Sequence, residues 1–169
     1  MKLLVTHPGR QHVQHLLRAL DEYGHSFSFW TGVPSADPGT AGLLYRVIAA
    51  LSPQPTFRYS ASRVDHCYIA PFMRRIAGAG LPASMAVSLG HRGDNWFDRW
   101  CASRLDTVEA NAVICYENAA LHTFRAARER GMTTILDAAS FHHVWQDRHF
   151  DYPESESAHA RITAHKDAE

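Results

Sequence analysis

The richest cluster of reactive side chains in this sequence runs from Asp137 to His143. A carboxylate and a serine hydroxyl stand just ahead of two neighbouring imidazoles, His142 and His143. Imidazole is the side chain best able to accept or donate a proton near neutral pH, so this cluster indicates proton-transfer chemistry. The structural alternative is that Asp137 caps a following helix while one histidine packs under Trp145.

Two further polar segments follow predicted buried strands, where open parallel sheets bind their ligands. They are His7-Pro8-Gly9-Arg10 and Glu117-Asn118. A single glycine ahead of a helix would let backbone N–H groups approach a sugar hydroxyl or a phosphate. The first segment matches neither GxGxxG nor a Walker loop, so a plain turn from strand to helix is the alternative.

His12 and His15 are three residues apart on a predicted helix, a spacing that can place two metal ligands on one face. Apolar residues are interleaved with them (Val13, Leu16 and Leu17), and no carboxylate or cysteine stands nearby in the sequence. This favours a histidine-rich surface helix. The opening is also similar to the metal-binding His-Pro-Asp-Asp loop of sugar N-deacetylases. Gly9 and Arg10 replace its two acidic residues, so we predict no metal site.

Composition excludes several classes of protein. Lys plus Arg and Asp plus Glu each number 17 and the isoelectric point is about 7.2, so no basic surface for nucleic acid is expected. No run of about 18 apolar residues predicts a membrane span, and no signal peptide is recognisable. The dispersed cysteines, Cys67, Cys101 and Cys115, indicate reduced, unreactive thiols. We therefore expect a cytoplasmic globular protein.

The elements that position these residues form two similar strand–helix–strand units. The first comprises a strand at residues 3–5, a helix with the apolar stripe Val13, Leu16, Leu17 and Leu20 that ends at Gly24, and a strand at residues 26–30. The second comprises a strand at residues 112–116, a helix from Asn118, its cap, to Arg130, and a strand at residues 133–136. Short connections between such units predict an α/β fold, a Rossmann-like, doubly wound parallel sheet in a single domain.

The middle of the chain is less regular. An apolar stripe predicts a helix at residues 44–51, and residues 56–59 are a candidate third strand. Residues 61–93 carry several prolines and glycines and receive no assigned elements. An amphipathic helix is predicted from Asp94 or Asn95 to Val108, and the polar tail from residue 151 resembles a helix that stops early.

Together these segments resemble the N-terminal domain of family-4 retaining glycosyltransferases of the GT-B fold. The segments that carry the resemblance are residues 3–12, residues 112–118 with 124–127, and residues 131–137. The resemblance implies a domain that binds the acceptor, a sugar or glycolipid, while a second domain holds the nucleotide-sugar donor, with no other cofactor. It assigns acceptor binding to His7, Gly9, Arg10, Glu117, Asn118 and His143, and catalysis to His142.

The chain ends at Glu169, about where that family continues into a last strand and a donor domain. The paired glutamates and the basic residues that grip the donor in that family have no counterpart here. We therefore expect residues 1–169 to be the acceptor half of an enzyme, inactive alone: a truncated reading frame, a fragment, or one member of a split pair whose partner chain is the donor domain. Two alternatives stay open: a non-catalytic α/β binding module, and a histidine-based metal-dependent hydrolase.

Overall fold

The computed structural model describes residues 1–9, 12–37, 43, 46, 59–60 and 63–138. The predicted helix at residues 44–51 lies outside them apart from Arg46, and so does the predicted helix in the tail from residue 151. In chain order the elements are β1 (Lys2–His7), α1 (Val13–Glu22), β2 (Ser26–Thr31), β3 (Val64–His66), α2 (Ile69–Ala77), α3 (Ala83–Arg104) with a 3-10 turn (Leu105–Thr107), β4 (Ala112–Tyr116), α4 (Leu121–Glu129) and β5 (Thr133–Asp137).

The five strands of the described residues form one all-parallel sheet in the order β3-β2-β1-β4-β5. The chain winds outward from β1 to β3 and then crosses to the other side of β1 for β4 and β5. β1 is therefore central, and its Val5 lies between Phe29 of β2 and Ile114 of β4. This arrangement confirms the predicted Rossmann-like, doubly wound α/β fold.

Each face of the sheet carries its own apolar core. On one face Leu4, Trp30 and Val113 pack with residues of α2, α3 and α4. On the other face Leu3 and Phe29 pack with residues of α1. Because successive residues of a strand point to opposite faces, a strand that is covered on both sides must be apolar throughout. This requirement explains the uninterrupted apolar runs of β1 and β4.

The helix predicted to begin at residues 94–95 begins much earlier, at Ala83, and it ends before Val108. Its first half has no continuous apolar stripe that the sequence pattern could show. Close approach to α2 holds it instead: a Cβ placed on Gly93 would lie only 3.0 Å from the Cα of Ala70. The predicted start was wrong because backbone proximity, rather than side-chain periodicity, packs this half of α3.

The N-terminus of α4 is capped by a side chain from α3 and not by the predicted Asn118. The N-cap residue, Ala120, supplies no side-chain cap. The carboxylate of Asp98 accepts hydrogen bonds from the backbone N–H groups of His122 at 2.7 Å and Thr123 at 2.9 Å, and from the Thr123 hydroxyl at 2.6 Å. A neighbouring helix thus satisfies the exposed donors of the first turn.

The strand beside β2 is β3, which lies in the stretch to which the sequence assigned no element. Of the predicted strand at residues 56–59, the structure describes Tyr59, which makes an isolated parallel bridge with Ala36. The glycine predicted to end α1, Gly24, has a φ of 71°, and Gly131 after α4 has a φ of 69°. Both adopt the left-handed conformation that favours glycine after a helix.

Candidate functional site

The carboxyl ends of the parallel strands meet at one edge of the sheet, and two aromatic rings mark its centre. β1 ends at His7 and β4 ends at Tyr116, and these two strands are neighbours where the winding reverses. Their ring centroids are 4.5 Å apart. Because open α/β sheets bind ligands in the crevice at this reversal, the space around His7 is the candidate site.

His7 is a buried and neutral imidazole. Its exposed fraction is 1%. Burial is the main cause that lowers its pKa to about 3, and repulsion between its protonated form and the side chains of His12 and Arg74 acts in the same direction. The backbone N–H of Gly9 donates a hydrogen bond of 2.9 Å to Nδ1. Nδ1 therefore carries no proton, and the single proton of the neutral ring lies on Nε2.

A histidine and a carboxylate from opposite ends of the described chain form a pair beside His7. Nε2 of His12, the residue before α1, lies 2.6 Å from Oδ2 of Asp137, the last residue of β5. Their side chains are 39% and 22% exposed, so a substrate can reach the pair. A carboxylate on one imidazole nitrogen orients the ring and stabilises its protonated form. The pair has the arrangement of a general base and its orienting group.

This pair changes two expectations. Asp137 was expected to cap a following helix or to act with the histidines after it, and its carboxylate instead bonds His12. His12 was expected to lie on a surface helix with no carboxylate nearby in the sequence. The carboxylate is indeed 125 residues away along the chain, and the fold brings it into contact.

A basic side chain borders the same crevice. Arg74 of α2 forms an ion pair of 2.5 Å with the buried Asp94 of α3. A Cβ placed on Gly9 would lie 3.6 Å from Nη1 of Arg74 and 3.6 Å from Cε1 of His7. Gly9 therefore lies beside both the guanidinium and the imidazole, and a Cβ there would contact both.

The loops after β2 and β3 form the other end of this edge. A Cβ on Gly32 would lie 2.4 Å from the carbonyl oxygen of Pro8, so only glycine fits there and the first two loops are tightly joined. His66, at the end of β3, accepts a hydrogen bond of 3.1 Å from the Ser35 N–H. Burial lowers its pKa to about 4, so His66 is a second neutral imidazole along the edge.

The structure brings together part of the predicted site. His7 and Gly9 lie in the crevice, and the backbone N–H of Glu117 donates to the Asp137 carbonyl at 3.3 Å, beside the His12 pair. Asn118 is half-buried in the same turn. Three predicted site residues lie outside the described part of the chain: Arg10, His142 and His143.

Sequence reasoning missed His12 as a proton-transfer residue, and it missed Arg74. Placing His12 next to Asp137 requires the strand order, because β4 lies between β1 and β5. The usable signal was that Asp137 directly follows one predicted parallel strand and that His12 lies at the end of the loop that follows another. Arg74 gave no signal, because it lies in the stretch to which no element was assigned.

Several other features of the described residues bear on the predictions. No group of three His, Cys, Asp or Glu side chains in this part of the chain is placed to hold a metal ion. No helix in the described ranges has the length and apolar character needed to cross a membrane. Burial raises the pKa of the thiols of Cys67 and Cys101, which suits the prediction that they are unreactive.

Comparison with known proteins identifies the fold. No protein-family model and no curated protein matches this sequence. A solved structure of Phytolacca americana UGT2, complexed with UDP-2fluoro-glucose and pterostilbene, matches with a TM-score of 0.50 and 15% identity. The match covers 99% of this chain and 45% of that one. The apo form of UGT2 matches with a TM-score of 0.46 and 14% identity, over 99% of this chain and 43% of that one.

This chain therefore spans less than half the length of the glycosyltransferase structures that it matches. The likeness shows a glycosyltransferase-like, Rossmann-type α/β fold. Membership of family 4, and the retention of configuration that goes with it, remain predictions.

Proposed function

We propose that this chain is the acceptor-binding domain of a glycosyltransferase, with His12 as the general base that activates the acceptor hydroxyl. The observation that carries the proposal is the hydrogen bond of 2.6 Å between His12 Nε2 and Asp137 Oδ2 at the carboxyl edge of the sheet. The glycosyltransferase-like fold supports the reaction class, and the reversal of winding beside His7 supports the location.

The proposed step moves one proton and exchanges one bond. With Nε2 held by Asp137, the other ring nitrogen, Nδ1, takes the proton from the acceptor hydroxyl. The acceptor oxygen then bonds to the anomeric carbon of the donor sugar, and the bond from that carbon to the nucleoside diphosphate breaks. The Asp137 carboxylate stabilises the imidazolium that forms, and the diphosphate leaves with the electron pair.

The donor in this proposal is a nucleotide sugar, as in the matched UGT2 structure that holds UDP-2fluoro-glucose. It is a co-substrate, bound by a donor domain that is either a further part of the polypeptide or a partner chain. The acceptor is a sugar or glycolipid, as the sequence resemblance implies. The crevice around His7 would hold this acceptor with its reacting hydroxyl toward His12.

Two nearby histidines, His12 just before α1 and His15 in its first turn, provide a matched test of the general base. The variants are His12→Ala and His15→Ala, assayed in this chain together with a donor domain on the same polypeptide or in trans. Loss of a general base lowers kcat by about 10²- to 10⁴-fold, which we expect for His12→Ala. His15 is exposed and one turn away, so its variant keeps the parent rate.

Release of the nucleoside diphosphate from a panel of nucleotide sugars measures this rate. Asp137→Asn also lowers kcat, because an amide does not stabilise the imidazolium. An unchanged rate in His12→Ala would refute the assignment. Acceptor binding without transfer under any donor would instead support the non-catalytic binding module.

The anomeric configuration of the product tests the predicted retention separately. Direct attack by an oxygen that His12 deprotonates inverts the configuration at the anomeric carbon. An inverted product, read by NMR, supports the general-base step. A retained product would support the family-4 resemblance and would remove the need for His12 as base.

A further inference from the structure

The nitrogen Nε2 of His7 is an unusual atom in this fold. It is buried, and no described residue accepts its hydrogen bond. A buried donor without a partner costs about 1–3 kcal/mol, so native structures rarely keep one without a reason. Ligand binding is one such reason, because the ligand then supplies the missing acceptor.

The fold fixes this nitrogen as a donor. The Gly9 N–H occupies Nδ1, which leaves the ring proton on Nε2. The pKa of about 3 keeps the ring in this neutral form at any physiological pH. His7 thus presents one N–H group, and it does not exchange this role for that of an acceptor or a cation.

The ring of His7 lies beside the acceptor crevice, close to the proposed base. Its ring centroid is 4.5 Å from that of Tyr116 and 6.1 Å from that of His12, to which it is almost perpendicular. Beside Cε1, the carbon bonded to Nε2, Gly9 presents no side chain. A residue without a side chain and the proposed base thus adjoin the same imidazole.

From this geometry we propose that His7 is a specificity-determining residue whose Nε2–H binds a second oxygen of the acceptor while His12 binds the reacting hydroxyl. The separation of 6.1 Å between the two rings lies within the span of one sugar ring. The site would therefore select polyhydroxylated acceptors, of the sugar or polyol class, over molecules with a single hydroxyl. This inference rests on the proposed function for the role of His12.

Two substitutions at His7 separate the donor from the Gly9 contact. In His7→Asn the side-chain oxygen can accept the Gly9 N–H, and nothing reaches the position of Nε2. In His7→Gln the longer amide can place an N–H donor near the position of Nε2, and the Gly9 contact is lost. A ligand-binding role predicts that His7→Gln, which keeps a donor near the position of Nε2, binds the ligand more tightly than His7→Asn does. A purely structural role predicts the opposite order, because His7→Asn keeps the contact with Gly9.

The measurement is a binding titration of the full 169-residue chain, followed by NMR of its imidazole nitrogens. The probes are methyl hexopyranosides and inositol, with cyclohexanol as the single-hydroxyl control of similar size. We expect the polyols, and not cyclohexanol, to shift the Nε2 resonance of His7. Loss of one hydrogen bond is expected to weaken binding about tenfold in His7→Asn, while His7→Gln stays within about threefold of the parent.

Equal binding by the two variants, equal binding of cyclohexanol, or no shift with any polyol would overturn the inference. None of these readouts needs sugar transfer. If His12→Ala abolishes transfer while the His7 variants bind as the parent does, the proposed function stands and this inference fails. If polyols bind through His7 and His12→Ala has no effect on transfer, this inference stands and the proposed role of His12 fails.

Discussion

Asp98 and His7 are both polar side chains that are buried almost completely, at 0% and 1% exposed. They differ in how far their hydrogen bonds are satisfied by the fold. Asp98 lies at the interface of α3 and α4, where three donors from α4 converge on its carboxylate. His7 lies at the carboxyl edge of the sheet, where Nδ1 has a partner and Nε2 has none among the described residues.

The contrast separates a polar group that holds the fold together from one kept ready for a ligand. A buried charge is tolerated where its hydrogen bonds are complete, as they are around Asp98. A buried donor that lacks a partner lowers stability and is retained where another molecule completes it. The comparison therefore predicts that substitution of Asp98 mainly affects folding, while substitution of His7 mainly affects binding.

The largest expected effect is that of Asp98→Ala. It removes the acceptor of three donors, including two backbone N–H groups of the first turn of α4, and should lower the free energy of unfolding by about 3 kcal/mol. Urea denaturation followed by circular dichroism measures this loss. The matched control is Asp106→Ala, which removes a carboxylate bonded to Arg130 on the exposed surface and should change the midpoint far less. Equal losses of stability in the two variants would show that Asp98 stabilises the fold no more than a surface carboxylate does.

A smaller effect is expected from pH, through His7. Its pKa is about 3 in the folded protein and about 6.5 in the unfolded chain, so between these values the unfolded chain binds more protons. Stability is therefore complete above pH 6.5 and falls as the pH decreases. From pH 7 to pH 5 the contribution of His7 decreases by about 2 kcal/mol.

The His7→Gln variant lacks this group and provides the control. The parent should lose about 2 kcal/mol more than the variant over the same pH interval, as measured from urea midpoints at each pH. His66, with a pKa of about 4, acts in the same direction in both proteins, so it cancels in the difference. An identical pH dependence in the two would show that His7 is not buried in its neutral form.

The same two residues show what the sequence could predict. The sheet was predictable because strands covered on both faces must be continuously apolar, and His7 was placed at the end of the first such strand. Asp98 was not recognised, because the cap of α4 comes from a helix 24 residues earlier rather than from the preceding turn. Local patterns suggested Asn118 for this role.

Prediction of the contact between His12 and Asp137 required knowledge of the strand order. Short apolar runs predict that β1 and β5 are parallel, but not that β4 alone separates them. Without that order, His12 and Asp137 are two isolated residues. Two other residues were missed for different reasons. Arg74 lies in a stretch whose prolines and glycines left it without an assigned element, and Gly93 packs by close backbone approach to Ala70, which leaves no apolar stripe in the sequence.

The smallest expected effect is that of His7→Phe on stability at neutral pH. The ring still packs on Tyr116, the Gly9 N–H loses its acceptor, and the buried Nε2–H that lacks a partner is removed. Loss of the acceptor for the Gly9 N–H lowers stability, and removal of the buried donor without a partner raises it. The two effects oppose each other, so the free energy of unfolding should change by less than about 1 kcal/mol. Urea denaturation at pH 7 checks this value. A loss as large as that of Asp98→Ala would mean that Nε2 is bonded within the fold, and His7 would then be a structural residue like Asp98.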